Sequence, residues 1–305
     1  MNRDSGLSTV LALVGLASCV ATAPSAAAPP PPATARTYTI DLRVIDWTVR
    51  PGVVAALWAF SNTQNPATLP GPVIRANQGD LLRVVFRNTH IKPHTLHFHG
   101  FHPIAMDGIL PVEPGREFVY EYVADPPGTY AYHCHINTPV HQDRGMLGQF
   151  IVDTPLEPRV DKEFLLVVDE VPRDWSSLGD DPTPQTHEYV INGKAYDPAA
   201  AGGNLDRSRM IVRSGEKVRL RVTNFGFSPH ALRLDGHQLS VVQGSDPLGT
   251  PQPDPAPELV TNQSLNITFT AGAPGTYRLR SARPEDNTNG GTAPGGMQTE
   301  LVVTN

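Results

Sequence analysis

Gln78-Gly79-Asp80-Leu81-Leu82-Arg83-Val84 is answered about 140 residues on by Ser214-Gly215-Glu216-Lys217-Val218-Arg219-Leu220. Each copy reads as a glycine turn feeding a short strand. A second pair, Pro127-Gly128-Thr129-Tyr130 and Pro274-Gly275-Thr276-Tyr277, follows in the same order. Around the first copy, alternating or β-branched runs stand at residues 38–44, 81–86, 118–123, 130–135 and 149–152. A polar, proline-bearing joint at 153–162 follows, and the series restarts at 164–168, 210–212, 218–222, 231–234, 265–269, 277–280 and 301–303. One long repeat, with turns about every 8–12 residues, predicts an all-β chain of two tandem sandwiches rather than a solenoid.

Composition agrees. The 305 residues suit two domains of about 100–200 residues each. Proline makes up 31 of them, roughly twice the usual share of about 5%. Because proline breaks helices and is tolerated at turns and edges, helical and collagen-like folds are excluded. Lys and Arg number 24 against 30 Asp and Glu, a net charge of −6, so no basic field exists to hold nucleic acid. Two cysteines exclude a disulfide framework.

Residues 7–23 are an apolar run behind Arg3, too short and interrupted to span a bilayer but suited to a secretion signal. Within it, Leu16-Ala17-Ser18-Cys19 resembles the bacterial lipobox, in which Cys19 becomes acylated. The Ala-Pro stretch at 21–35 reads as an extended tether. The expectation is a secreted chain, a periplasmic or outer-membrane lipoprotein anchored to the membrane through Cys19. It divides into a signal and tether at 1–36, a first domain at 37–155 and a second at 156–305.

Eight of the eleven histidines fall between His90 and His141. They include His94-Thr95-Leu96-His97-Phe98-His99-Gly100 and His133-Cys134-His135, with His141 and Met146 in the loop beyond. Side chains alternate along a strand, so His97 and His99 share one side while His94 takes the other. Likewise His133 and His135 share a side and Cys134 points away. Two donor sets then stand back to back. One holds His94 and Cys134, onto which His141 and Met146 can fold; the other holds His97, His99, His133 and His135. Two imidazoles, a thiolate and a distant thioether are the donors of a blue, electron-transfer copper site. Zinc gains little from a methionine. Four imidazoles without a thiolate suit one or two further copper ions, and the Cys134 backbone offers a short covalent route between the sets.

At these residues the chain resembles the two-domain, laccase-like multicopper oxidases built from cupredoxin Greek-key domains. Leu69-Pro70-Gly71-Pro72-Val73-Ile74-Arg75, Gly128-Thr129-Tyr130 and Gly145-Met146 extend the likeness. The resemblance implies type 1 copper ligands at His94, Cys134, His141 and Met146. It implies a type 2 ligand at His97 and type 3 ligands at His99, His133 and His135. The implied activity is one-electron oxidation of a small-molecule or protein donor, transfer through Cys134 and its flanking histidines, and reduction of dioxygen. A homotrimer and a proton-relaying Asp107 are implied as well, although Asp107 before Gly108 also reads as a turn residue.

Two departures qualify the likeness. His141 stands seven residues beyond Cys134 rather than the family's five, which predicts an altered colour or potential. The second half places Arg233 and Asp235 where His97 and His99 stand, and Arg280-Ser281-Ala282 for His133-Cys134-His135, keeping only His230. Arg233, Asp235 and Arg280 are expected to pair as a charged substitute for a lost metal, with Asp235 reaching the histidine face as the alternative. Two rival functions follow. One is a periplasmic copper-binding electron carrier without oxidase activity. The other is a copper enzyme like the nitrite reductases, whose aspartate at the His97 position and histidine near Ala282 are missing here. His90 and His102 fit no ligand slot and read as supporting residues, and Trp47, Trp58 and Trp175 as core.

Overall fold

Gly79 and Gly215 both turn the chain with left-handed backbone, at φ of 88° and 85°, a conformation that costs glycine nothing. Each releases a strand into the same position of its half. The computed structural model describes residues 34–62, 66–172 and 187–305. Cys19, the lipobox-like motif and Trp175 lie outside them.

The first half packs two four-stranded sheets. One runs Val53–Asn62, Ala35–Arg50, Leu81–Arg87, Glu117–Val123; the other runs Ile74–Asn77, Leu147–Asp153, Gly128–His133, His97–Phe98. The second half repeats the plan with six and five strands. Its larger sheet is His187–Ile191, Lys162–Pro172, Lys217–Asn224, Ser264–Thr270, Ser240–Gln243, Gln252–Pro253. The smaller is Met210–Arg213, Gln298–Thr304, Gly275–Ser281, His230–Leu234, Glu258–Leu259. The duplication extends to strand direction. Ala35–Arg50 lies parallel to Leu81–Arg87 as Lys162–Pro172 lies parallel to Lys217–Asn224. Ile74–Asn77 lies parallel to Leu147–Asp153 as Met210–Arg213 lies parallel to Gln298–Thr304. Two tandem cupredoxin-like β-sandwiches result.

Each half has its own core, including Trp58, Phe60, Phe86, Phe98 and Tyr132 in the first and Leu166, Val218, Leu232, Ile267 and Leu301 in the second. A third cluster joins them: Leu57, Leu69, Ala131 and Leu147 pack with Val167, Val190 and Phe225. Beside this seam, Arg221 is almost wholly buried and bonds Glu163 at 2.8 Å, Glu157 at 2.6 Å and the Thr129 hydroxyl at 2.8 Å.

Three sequence expectations shift. The run at 130–135 ends as a strand at His133, freeing Cys134 and His135 from the ladder. Strand begins at Ala35, so the tether gives way slightly earlier than expected. His141 lies not in a loop but on the helix Thr138–Asp143, which starts behind Asn137 in left-handed backbone and carries Pro139 in its first turn, where proline is tolerated.

Candidate metal centres

Backbone pairing assembles the thiol side. The strand Gly128–His133 runs antiparallel to Leu147–Asp153 up to the pair His133↔Leu147. Just past it the Cys134 amide donates to the Met146 carbonyl at 3.1 Å, and the Met146 amide donates to the His141 carbonyl at 3.2 Å. His94 comes in from across the sandwich, held by a two-bond bridge to Val112. The Cys134 Sγ then lies 3.2 Å from His141 Nδ1 and 3.8 Å from His94 Nδ1, and the two ring nitrogens are 3.3 Å apart. All three side chains and Met146 are buried. Burial pushes the Cys134 thiol up to about 11. It also drives His94 down to about 2, helped by repulsion from His141, His90 and Lys92. A neutral thiol and the neutral His94 imidazole converging in an apolar core need a cation to hold the sulfur as thiolate. The soft sulfur donors and two imidazoles fit copper.

His90 supports this set. Its Nδ1 is 2.8 Å from His94 Nε2, on the far side of the ring from the thiol. Trp58, fully buried, packs against His90, His94 and His141 with ring centroids 4.7, 5.8 and 5.3 Å away. The Arg144 guanidinium lies 5.1 Å from the centre of the indole. Trp58 is core, as its sequence context indicates, and it is also a wall of the site.

On the opposite side the register His97↔His133 places those rings as neighbours. His97, His99 and His133 form a triangle with ring centroids 5.1 to 5.2 Å apart. His99 Nε2 and His133 Nε2 approach to 3.1 Å. His135 stacks on His97 at 4.5 Å with planes 18° apart and is exposed to solvent. Burial pushes His99 down to about 4 and His133 to about 3, and lowers His97 as well. These imidazoles keep bare lone pairs at neutral pH. Asp107 joins them: its carboxylate Oδ1 is 3.1 Å from His97 Nδ1 and 3.4 Å from His102 Nε2. His94, Cys134 and His141 therefore converge on one face of the segment and His97, His99 and His133 on the other, while His135, expected with the latter, gathers only with His97 and Asp107.

The second half holds the counterpart of the thiol set in altered form. Its register Arg233↔Arg280 matches His97↔His133, with Ser281 following Arg280 as Cys134 follows His133. The Ser281 amide donates to the Met297 carbonyl at 3.2 Å and the Met297 amide to the Asp286 carbonyl at 2.8 Å, repeating the pattern of Cys134, Met146 and His141. The quartet His94, Cys134, His141, Met146 thus corresponds to His230, Ser281, Asp286, Met297. His230 Nδ1 meets Asp286 Oδ2 at 2.8 Å, the Ser281 hydroxyl donates to the same oxygen at 2.6 Å, and Glu170 faces His230 Nε2 at 3.2 Å. A buried ion pair stands where the first half gathers soft donors. Sequence comparison found only His230. Met297, placed ahead of the last strand as Met146 is, was the available signal for the rest; Glu170 had none.

Asp235 lies 3.5 Å from Arg233 and 3.4 Å from Arg280, so the expected charged trio forms, loose and partly exposed.

A family model described as "Multicopper oxidase" matches residues 49–157, and a second with the same description matches residues 167–302. Among curated proteins, the multicopper oxidase MmcO of Mycobacterium tuberculosis is 29% identical over 214 residues, 57% of this chain and 41% of that protein. The chain spans about two fifths or less of the curated relatives it matches. Among solved structures, the blue copper oxidase from Nitrosomonas europaea superposes with a TM-score of 0.78 at 26% identity, covering 88% of this chain and 86% of that one. A copper nitrite reductase from the same organism, 21% identical with a TM-score of 0.75 and coverage of 89% and 95%, shares the fold.

Proposed function

The chain belongs to the multicopper oxidase family, and from that premise we propose that it is a copper-dependent oxidoreductase. Its donor would be oxidised one electron at a time at the His94, Cys134, His141 and Met146 set. The acceptor, dioxygen, would be reduced at the His97, His99, His133 and His135 face. Copper bound at the two sets supplies the one-electron redox chemistry. The observation that carries this reading is Cys134: its sulfur meets His141 and His94 at 3.2 and 3.8 Å while the preceding residue, His133, belongs to the opposite triangle.

The chain's own groups divide the remaining work. The main chain between Cys134 and His133 is a covalent route between the sets. Burial around Trp58 keeps water from the thiol side. Asp107 Oδ1, partly exposed and within 3.1 Å of His97 and 3.4 Å of His102, is placed to pass protons from solvent to the reduced acceptor.

The electron donor is a small molecule or a protein, and the assembly is a homotrimer. The apolar side chains of Phe101, Ile104, Ile109 and Leu110, all exposed in the segment between His99 and Val112, support coverage of that face by another chain. The lipobox-like Leu16 to Cys19 supports export and lipid anchoring in a bacterial envelope; Cys19→Ala that leaves membrane association and gel mobility unchanged removes that part.

Oxygen consumption with a phenolic or metal-ion donor tests the activity. We expect uptake that Cys134→Ser abolishes together with an intense visible thiolate-to-copper band. Uptake that survives His97→Ala and His133→Ala removes the second set from the reaction. No uptake, with about one copper per chain, establishes the carrier instead; nitric oxide from nitrite establishes the nitrite-reducing reading.

A further inference from the structure

We propose that the face opposite the thiol holds one metal ion, bound by His97, His99 and His133 of the first half alone. Asp107 fixes His97 from behind and His135 stays outside the coordination sphere. This deepens the copper reading above and rests on it for the identity of the ion.

Hydrogen bonding settles which nitrogens are free. His133 Nδ1 lies 2.9 Å from the Cys134 carbonyl, which can only accept, so the proton sits on Nδ1 and Nε2 is bare. His97 Nδ1 lies 2.8 Å from the Asp107 carbonyl and 3.1 Å from its carboxylate, again two acceptors, so His97 Nε2 is bare as well. His99 Nε2 points at His133 Nε2 across 3.1 Å. Metal–imidazole bonds of about 2.0–2.1 Å put neighbouring nitrogens roughly 3.3–3.5 Å apart at tetrahedral to trigonal angles. The His99–His133 edge, at 3.1 Å, is already near that size, and a donor atom of each of the three rings lies within 4.8 Å of the others. Two of the three rings are locked in the required tautomer, one by a carboxylate residue, the support that metal-bound histidines ordinarily have.

His135 cannot join the same ion. Its ring lies nearly parallel to His97 at 4.5 Å, and lone pairs in the planes of two stacked rings do not converge on one point. A separate ion between His97, Asp107 and His135, whose donor atoms also gather, would have to displace the His97 Nδ1 proton from its two acceptors. Among the described residues of the second half, Arg233 and Arg280 occupy the register positions of His97 and His133, and Asp235, at the position of His99, is paired with both. Three histidines leave a fourth position open, as at metal sites that bind exogenous ligands. The occupant is a small ligand, dioxygen or a compact anion.

The test is copper stoichiometry by elemental analysis with electron paramagnetic resonance on the full chain, using copper alone as the probe and azide as the exogenous ligand. The expected result is two coppers per chain. One is removed by Cys134→Ser; the other is a non-blue signal that azide perturbs and that His99→Ala removes in either background. His135→Ala, an exposed position, keeps both coppers. Asp107→Asn leaves the visible band unmoved, weakens the non-blue copper by about 10–100-fold, and Asp107→Glu restores part of the loss. Three or four coppers per chain, a copper lost with His135→Ala, or no non-blue copper overturns the single-ion site. A missing visible band with the azide-sensitive copper retained would instead sink the electron-transfer reading and leave this site standing.

Discussion

His94 and His230 hold the same place in their two halves, yet their surroundings act on them in opposite directions. Burial and neighbouring histidines hold His94 neutral. Burial also works against charge on His230, but the Asp286 and Glu170 carboxylates outweigh it and raise His230 to about 9. A histidine raised in the folded state stabilises most below its unfolded pKa of about 6.5, and that contribution is lost as pH rises through the folded value. Stability should therefore fall between about pH 6.5 and 9 by roughly 3 kcal/mol. Denaturant melts across that range check this, and His230→Gln should flatten the slope. On the other side, His90 accepts from His94 Nε2 when His94 turns its Nδ1 to a metal. His90→Phe keeps an aromatic ring against Trp58 but removes the acceptor. We expect copper affinity at the thiol set to drop about 10–100-fold, with a shifted visible band, by competitive chelator titration.

At the level of elements, the turn Met106-Asp107-Gly108 positions a side chain through backbone geometry. Gly108 has φ of 72°, and a Cβ there would lie 2.2 Å from the Leu96 carbonyl oxygen. Gly108→Ala must push the turn off the segment that carries His97, at about 1–3 kcal/mol. The non-blue copper should weaken while the visible band stays, because the thiol set lies across the strand; calorimetry and copper titration read the two effects. Strand parity made both donor sets legible in the sequence, since alternation is a local property of an extended chain. From sequence Asp107 reads both as a turn residue and as a proton relay, because its approach to His97 depends on a close backbone contact across ten residues. The helix under His141 was missed too: six residues with proline near the start carry little helical signal.

For the whole molecule, the joined core and the buried Arg221 bind the halves into one cooperative unit. Removing one partner of a buried ion pair costs about 3–5 kcal/mol. We expect one unfolding transition for the parent chain. Arg221→Met, which removes the contacts to Thr129 and Asp153 of the first half while Arg219 stays on Glu157 and Glu163, should split it into two in scanning calorimetry. A single lowered transition would assign the coupling to the apolar seam around Leu57, Leu147 and Phe225 instead.

Residue spacing alone determined the duplicated β-sandwich, the two histidine-bearing faces and the loss of imidazoles from the second half, because each is written in alternation and order along the chain. Only the folded chain decided that Glu170 and Asp286 converge on His230, that Met297 keeps the station of Met146, and that His135 stacks on His97 rather than closing the triangle. Those relations join strands distant in sequence or depend on ring orientation, and neither quantity is carried by periodicity.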